Sequence, residues 1–200
     1  MKNYFLLPAL LILIGFTSIS CKKEKPANAK YSIETKTTTI NWTGYKTTEK
    51  IPVPGTFKVL NITKSNTGEN PNTVFNGLEF SIPVNSIDSK SAERDAKIVT
   101  SFFGKMTDTK TINGKINLGE KGKGSIDLTL NGITAKLPMT YIISGQLAEF
   151  NATLDLSNWK AKLAIDALNK VCREKHKGKD GISKTWNEVA IHVVSYLKVE

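Results

Sequence analysis

From residue 31 onward, apolar side chains recur at every second position through most of the chain, and that period limits it to β-strands that bury one face. The clearest run lies in residues 74–84, where Val74, Leu78, Phe80, Ile82 and Val84 share a face and Glu79 and Ser81 take the other. The same test finds Ile40 and Trp42 in a first strand, Phe57 and Val59 in a second, and Ile112, Ile116 and Leu118 after a gap. Ile126, Leu128 and Leu130 follow, then Ala135, Leu137, Met139, Tyr141 and Ile143. Phe150, Ala152, Leu154 and Leu156 come next, and Val189, Ile191, Val193, Leu197 and Val199 complete eight predicted strands. Val53-Pro54-Gly55, Asn66-Thr67-Gly68, Gly122-Lys123-Gly124, Asn131-Gly132 and Ser144-Gly145 are turn signals, and connections this short predict antiparallel neighbours. Such a sheet must stack as a sandwich or close into a barrel, and a closed barrel of about eight strands is filled by side chains or holds one slender ligand.

Two segments break the alternation. Residues 89–104 place Ser89 and Ser91 as N-caps ahead of Ala92-Glu93-Arg94-Asp95-Ala96-Lys97 and stop at Gly104, which predicts a short helix. Residues 158–177 set Ala161, Ile165, Leu168, Val171 and Cys172 at helical spacing, with Lys170, Arg173, Lys175 and Lys177 toward the end, where cations suit a helix C-terminus. Cys172 and His176 stand four apart on that second helix, a spacing open to a metal or to a thiol beside its base. Against this, Cys172 falls on the apolar stripe with Leu168, where a free cysteine serves as a small core residue. Arg94-Asp95 reads either as an ion pair orienting the first helix or as a polar clamp on a ligand head group. The cations around Lys175 read as a solvated helix end or as a contact for phosphate or an anionic membrane.

Ahead of these strands, Lys2 and the apolar run Phe5 to Phe16, followed by Thr17-Ser18-Ile19-Ser20-Cys21, have the layout of a secretory signal peptide. The run contains Pro8 and falls short of the ~20 residues that span a bilayer as a helix, so export is expected rather than a transmembrane anchor. Cys21 after the small Ser20 resembles a bacterial lipobox, which makes Cys21 the expected lipid attachment site. The reading divides the chain into a signal peptide at 1–20, a Lys- and Pro-bearing tether at 21–30 and one domain at 31–200.

The 28 Lys and Arg against 18 Asp and Glu give a formal charge of +10, which favours anionic surroundings without choosing among them. Nucleic acid is disfavoured, because the basic residues lack interleaved aromatic platforms and the export signal removes the chain from most of it. No catalytic set can be assembled from local motifs, so neither catalytic nor metal residues are expected, and no resident cofactor.

In order along the chain stand Trp42-Thr43-Gly44, Gly55-Thr56-Phe57, Phe80-Ser81-Ile82-Pro83-Val84-Asn85-Ser86-Ile87, Arg94-Asp95, Phe102-Phe103 and Asn131-Gly132-Ile133-Thr134. This succession, across most of residues 31–156, resembles the YceI-like family of exported bacterial lipid-binding domains. The family's double aromatic is usually followed by an acidic residue and a proline, and here Gly104-Lys105-Met106-Thr107 follows. The tail from Ala167 to Trp186 resembles that of a lipoprotein subgroup in the Bacteroidetes. The resemblance implies a mainly β fold, an eight-stranded antiparallel lipocalin-like barrel with two short helices, and an apolar cavity for a polyisoprenoid or similar amphiphile. It makes Trp42, Phe57, Phe80, Ile82, Phe102 and Phe103 the expected ligand-binding residues. The expected protein is a non-enzymatic, lipid-anchored binding protein of the cell envelope, facing periplasm or cell surface, with an amphiphilic lipid as partner. The alternative is an envelope structural or stress protein whose packed barrel acts through its surface.

Overall fold

The computed structural model of the chain describes residues 29–200. The expected signal peptide, the expected lipid attachment site Cys21 and all but the end of the expected tether lie outside the described residues. In chain order the strands are β1 (Tyr31–Ser32), β2 (Thr38–Lys46), β3 (Ile51–Phe57), β4 (Asn61–Lys64), β5 (Glu79–Pro83), β6 (Ile87–Asp88), β7 (Thr111–Leu118), β8 (Lys123–Leu130), β9 (Ile133–Ser144), β10 (Leu147–Asp155), β11 (Glu188–Tyr196) and β12 (Lys198–Val199). Three α-helices interrupt them: α1 (Pro71–Phe75), α2 (Ala92–Lys97) and α3 (Lys162–Val171).

Strands β7 to β10 form an antiparallel meander, β11 pairs β10 on one side and β2 on the other, and β2 pairs β3. The two ends of this sheet then meet. Strand β3 bends at 58–60 and runs on as β4, while β5 bends at 84–86 and runs on as β6. β4 pairs β5 and β3 pairs β6, with Lys58 N–H donating to Ser86 O across the bends. Counting each bent pair as one strand recovers the eight predicted from periodicity, closed into a barrel that leaves no long free edge.

The seam is held by charge as well as by ladder bonds. Asp88 of β6 accepts from Lys90 N–H and Lys90 Nζ, both at 2.9 Å, and lies 3.3 Å from Lys58 Nζ. The Lys90 side chain, then its backbone N–H, hold the Asp88 carboxyl well below the ordinary aspartate range, with Lys58 adding to them. A carboxyl whose folded pKa is lowered stabilises fully above its unfolded value and loses that contribution as pH falls toward the folded one. The melting temperature is therefore expected to fall below about pH 4, with Asp88→Asn showing a flatter acid limb in a thermal melt series; parallel limbs would place the acid sensitivity elsewhere.

Three local readings needed correction. Val74 lies in α1 rather than in a strand, because Asn70 caps the turn through Asn72 N–H, Pro71 starts it and Gly77 (φ +80) ends it. Spacing from Val74 to Leu78 fits a helical turn as well as a strand, which is why alternation alone misread it. Val59 sits exposed in the β3–β4 bend. Gly55 belongs inside β3 and not to a turn; the turn falls at Thr47–Lys50, where Thr47 and Lys50 take positive φ.

At one end of the barrel α1 and the β1–β12 pair lie against Phe150, Leu197 and Met139, with Phe75 meeting Phe150 edge-on at 5.0 Å between ring centres. At the other end the segment Ile98–Phe103 that continues α2, together with α3, packs over Trp42, Leu130, Leu154 and Trp159. Both predicted helices are present, capped at Ser91 for α2, whose first turn is further tied by Asp95 accepting from Ser89 N–H at 2.9 Å and Ser89 Oγ at 2.6 Å.

Candidate functional site

Because side chains alternate along each strand, closing the sheet turns one apolar set inward along the barrel axis. Two cavities result. The lower one, nearer α1 and about 130 Å³, is bordered by Ile40, Phe80, Ile82, Ile116, Phe150 and Val193 among others. The other, about 140 Å³ and nearer the α2–α3 layer, is bordered by Trp42, Leu130, Leu156, Phe102, Phe103 and Leu168 among others. Phe57, Ile112, Leu128, Leu154 and Ile191 border both, so the chambers lie in line and meet at a waist drawn from five strands. Each chamber is roughly ten times the ~10–15 Å³ that one water-sized sphere requires.

Their walls are apolar, and the few polar groups at them are already bonded. Around the lower chamber, the hydroxyls of Thr38 and Ser195 bond each other at 2.8 Å. Around the upper one, Trp42 Nε1 donates to Thr56 O, Trp186 Nε1 to Thr47 O, and Thr185 Oγ1 to Asn169 Oδ1. A trapped water needs two to four polar partners, and groups bonded in this way offer few. Hydrocarbon is the content such walls favour.

Two glycines fix the aromatics that shape the chambers. Trp42 stands opposite Gly55 and Phe80 opposite Gly114, and each ring lies over its glycine so closely that a Cβ there would collide with it. The aromatic ring covers the strand that the glycine leaves bare. Phe102 and Phe103 follow α2 where the helix widens over Ile98–Phe102, and their rings meet edge-on at 5.0 Å.

All six residues expected at a ligand site border these chambers: Trp42, Phe57, Phe102 and Phe103 the upper, and Phe57, Phe80 and Ile82 the lower. Sequence reasoning missed the waist residues Ile112, Leu128, Leu154 and Ile191 as a group. The signal was present, since each lies on the inward set of its own predicted strand, but which positions share a level depends on register. Tyr45 and Trp186, at the upper rim under Lys50, gave no such signal.

The other candidates resolve differently. Arg94 and Asp95 form no ion pair: Asp95 is taken by Ser89, and Arg94 faces a recess beside Cys172. Cys172 is a buried free thiol whose pKa burial raises, opposite to the lowering that a nucleophilic cysteine needs. Burial, then the charge of Lys46, pushes the His176 imidazole down to about 4, and its Nδ1 shares a 2.7 Å hydrogen bond with Thr185 Oγ1. Among the described residues no three His, Cys, Asp or Glu side chains gather as ligands for a metal. At the basic end of α3, Lys175 pairs with Glu93 and Lys177 with Glu174, in the manner of a solvated helix end. His192 is exposed on the outer face of β11, as alternation predicts.

A model of the YceI-like domain matches residues 31–194. The chain is similar in structure to a polyisoprenoid binding domain from Saccharophagus degradans implicated in plant cell wall breakdown, at 12% identity and a TM-score of 0.57, over 86% of this chain and 99% of that one. It is likewise similar to BcnA of Burkholderia cenocepacia, at 16% identity and a TM-score of 0.53, over 82% of this chain and 99% of that one. At such identities the likeness establishes the fold. No curated protein matches the sequence significantly.

Proposed function

Since this chain belongs to the YceI-like family, we propose that it is an exported, lipid-anchored protein of the cell envelope that holds an isoprenoid or similar long-chain amphiphile inside its barrel. The observation that carries the reading is the pair of apolar chambers in line, joined at one apolar waist. A long alkyl or isoprenoid chain gains roughly 0.8 kcal/mol for each CH₂ that it withdraws from water, and a tube with few free polar groups asks little in return. The likeness to the polyisoprenoid binding domain of Saccharophagus degradans points the same way. In this reading Trp42, Phe57, Phe102 and Phe103 contact the upper part of the chain, Phe80 and Ile82 the lower, and the protein binds rather than catalyses. Export and anchoring rest on the leader and on Cys21, whose acylation would hold the barrel at a membrane.

Solvent extraction of freshly purified protein tests it. One dominant long-chain species near one per barrel is expected, and its removal should lower the melting temperature. A ligand present at 100 times its Kd adds about 2.7 kcal/mol, which for a domain of this size is a shift of roughly 5–10 °C. An empty extract, together with a melting curve unmoved by added isoprenoid alcohols, would instead favour a packed barrel that works through its surface.

A further inference from the structure

Followed away from α1, alternate positions of β2 are Ile40, then Trp42 and Gly44, then Lys46. Ile40 borders the lower chamber, Trp42 and Gly44 the upper one, and Lys46 a separate recess of about 200 Å³. Two other elements change character in the same way. Ile98 borders the upper chamber, whereas Arg94, one helical turn earlier, and Lys97 line the recess. On α3, Leu168 borders the chamber, and Cys172, one turn later at the helix's C-cap, borders the recess. Thr185 of the chamber wall joins the two through its bond to His176.

Charge in the recess is one-sided. Lys46, Arg94, Lys97 and Lys175 face it with Glu93 as the one carboxylate, a surplus of three positive charges. Glu93 is shared between Lys97 at 2.6 Å and Lys175 at 3.1 Å. Among the described residues the side chains of Lys46 and Arg94 have no hydrogen-bond or ion-pair partner, although both residues are partly buried. Partly desolvated cations without a counter-ion are stabilised by whatever anion the space admits.

We propose that this recess receives an oxyanion of the phosphate class, carried as the head group of the amphiphile whose chain lies in the two chambers. The proposal rests on the reading of the barrel as a lipid tube and adds to it the polarity of the ligand and its direction, head toward α2 and α3 and tail toward α1. A phosphate carries about −1.5 to −2 charges at neutral pH, which offsets more than half of the surplus that the recess presents. Arg94 can grip two of its oxygens through the guanidinium fork, while the lysines act as point charges.

The test compares three probes on the delipidated protein: geranylgeranyl monophosphate, geranylgeraniol and inorganic phosphate, each titrated by calorimetry at low and at high ionic strength. Wild type should bind the lipid phosphate at least about tenfold more tightly than the alcohol, with the preference shrinking in salt. In the Lys46→Gln/Arg94→Gln double variant the preference should vanish while alcohol binding persists, which also certifies the variant's fold. Should the double variant fail to fold, each single substitution is expected to lose part of the preference. If the two lipids bind alike while inorganic phosphate binds wild type and not the variant, the oxyanion site stands with a free anion as its source. Equal binding of the two lipids with no binding of phosphate overturns the proposal and leaves the tube intact. Binding of none of the three overturns both.

Discussion

Replacing Trp159 with alanine is expected to cost about 3–5 kcal/mol. Trp159 is fully buried in the helical turn Leu156–Trp159 that leads from β10 toward α3, and its side chain borders neither chamber. Its Nε1 donates to Leu128 O at 2.9 Å, and its own carbonyl accepts from Asn131 Nδ2 at 2.8 Å. Asn131 in turn holds Thr107 N–H, so the indole ties this turn to β8 while the Trp159 backbone, through Asn131, ties it to the β8–β9 turn and the loop before β7. Alanine would leave a hole that no ligand chain reaches and take away the donor to Leu128 O. Urea unfolding of stripped and lipid-loaded protein should therefore give the same loss for Trp159→Ala in both. Trp159→Phe, which keeps most of the volume and removes the N–H, should cost about 1–3 kcal/mol. A loss under about 1 kcal/mol for the alanine variant would mean that this corner is not packed as described.

The contrast between a packed corner and an open tube marks what was legible in the sequence. Strand existence was legible, because Ile126, Leu128 and Leu130, or Leu137 and Met139, sit at a period that only a half-buried strand satisfies. Closure was not, because it depends on two bends, at 58–60 and 84–86, that let β3 with β4 and β5 with β6 exchange partners across a seam. Short β4 and two-residue β6 carry too few positions for a period to be seen. Gly55 shows the same limit from another side. Beside Pro54 it has the composition of a turn, and only the Trp42 ring lying over it explains a glycine inside a strand.

For the candidate site, the aromatics were legible through their order along the chain, and their levels in the barrel were not. Arg94 could be read as a helix-orienting charge or as a clamp, and its neighbour in sequence did not decide the matter; Ser89 did, by taking Asp95. The cations that join Arg94 come from β2, from α2 itself and from the turn beyond α3, which are 51 positions or more apart at Lys46, Lys97 and Lys175. Local spacing holds no record of such a meeting, whereas the fold makes it by laying the helical layer across the end of β2.

Leu154→Ala separates a ligand tube from a packed interior. Leu154 is 8% exposed, lies in β10 opposite Val189 of β11, and borders both chambers at the waist. In stripped protein its truncation should cost about 2–5 kcal/mol, as for other buried leucines. The space vacated opens onto the two chambers, so a bound chain can move into it. At roughly 0.8 kcal/mol for each CH₂ kept from water, a chain that fills the gap recovers about 1–2 kcal/mol of the loss. A thermodynamic cycle on wild type and Leu154→Ala, each stripped and loaded with geranylgeraniol and unfolded in urea, should therefore show a coupling of that size. The same cycle on Trp159→Ala should show none, which guards against a general effect of lipid on the unfolded chain. Equal losses for Leu154→Ala in the two states would mean that no chain passes the waist and that ligand, if bound, is confined to one chamber.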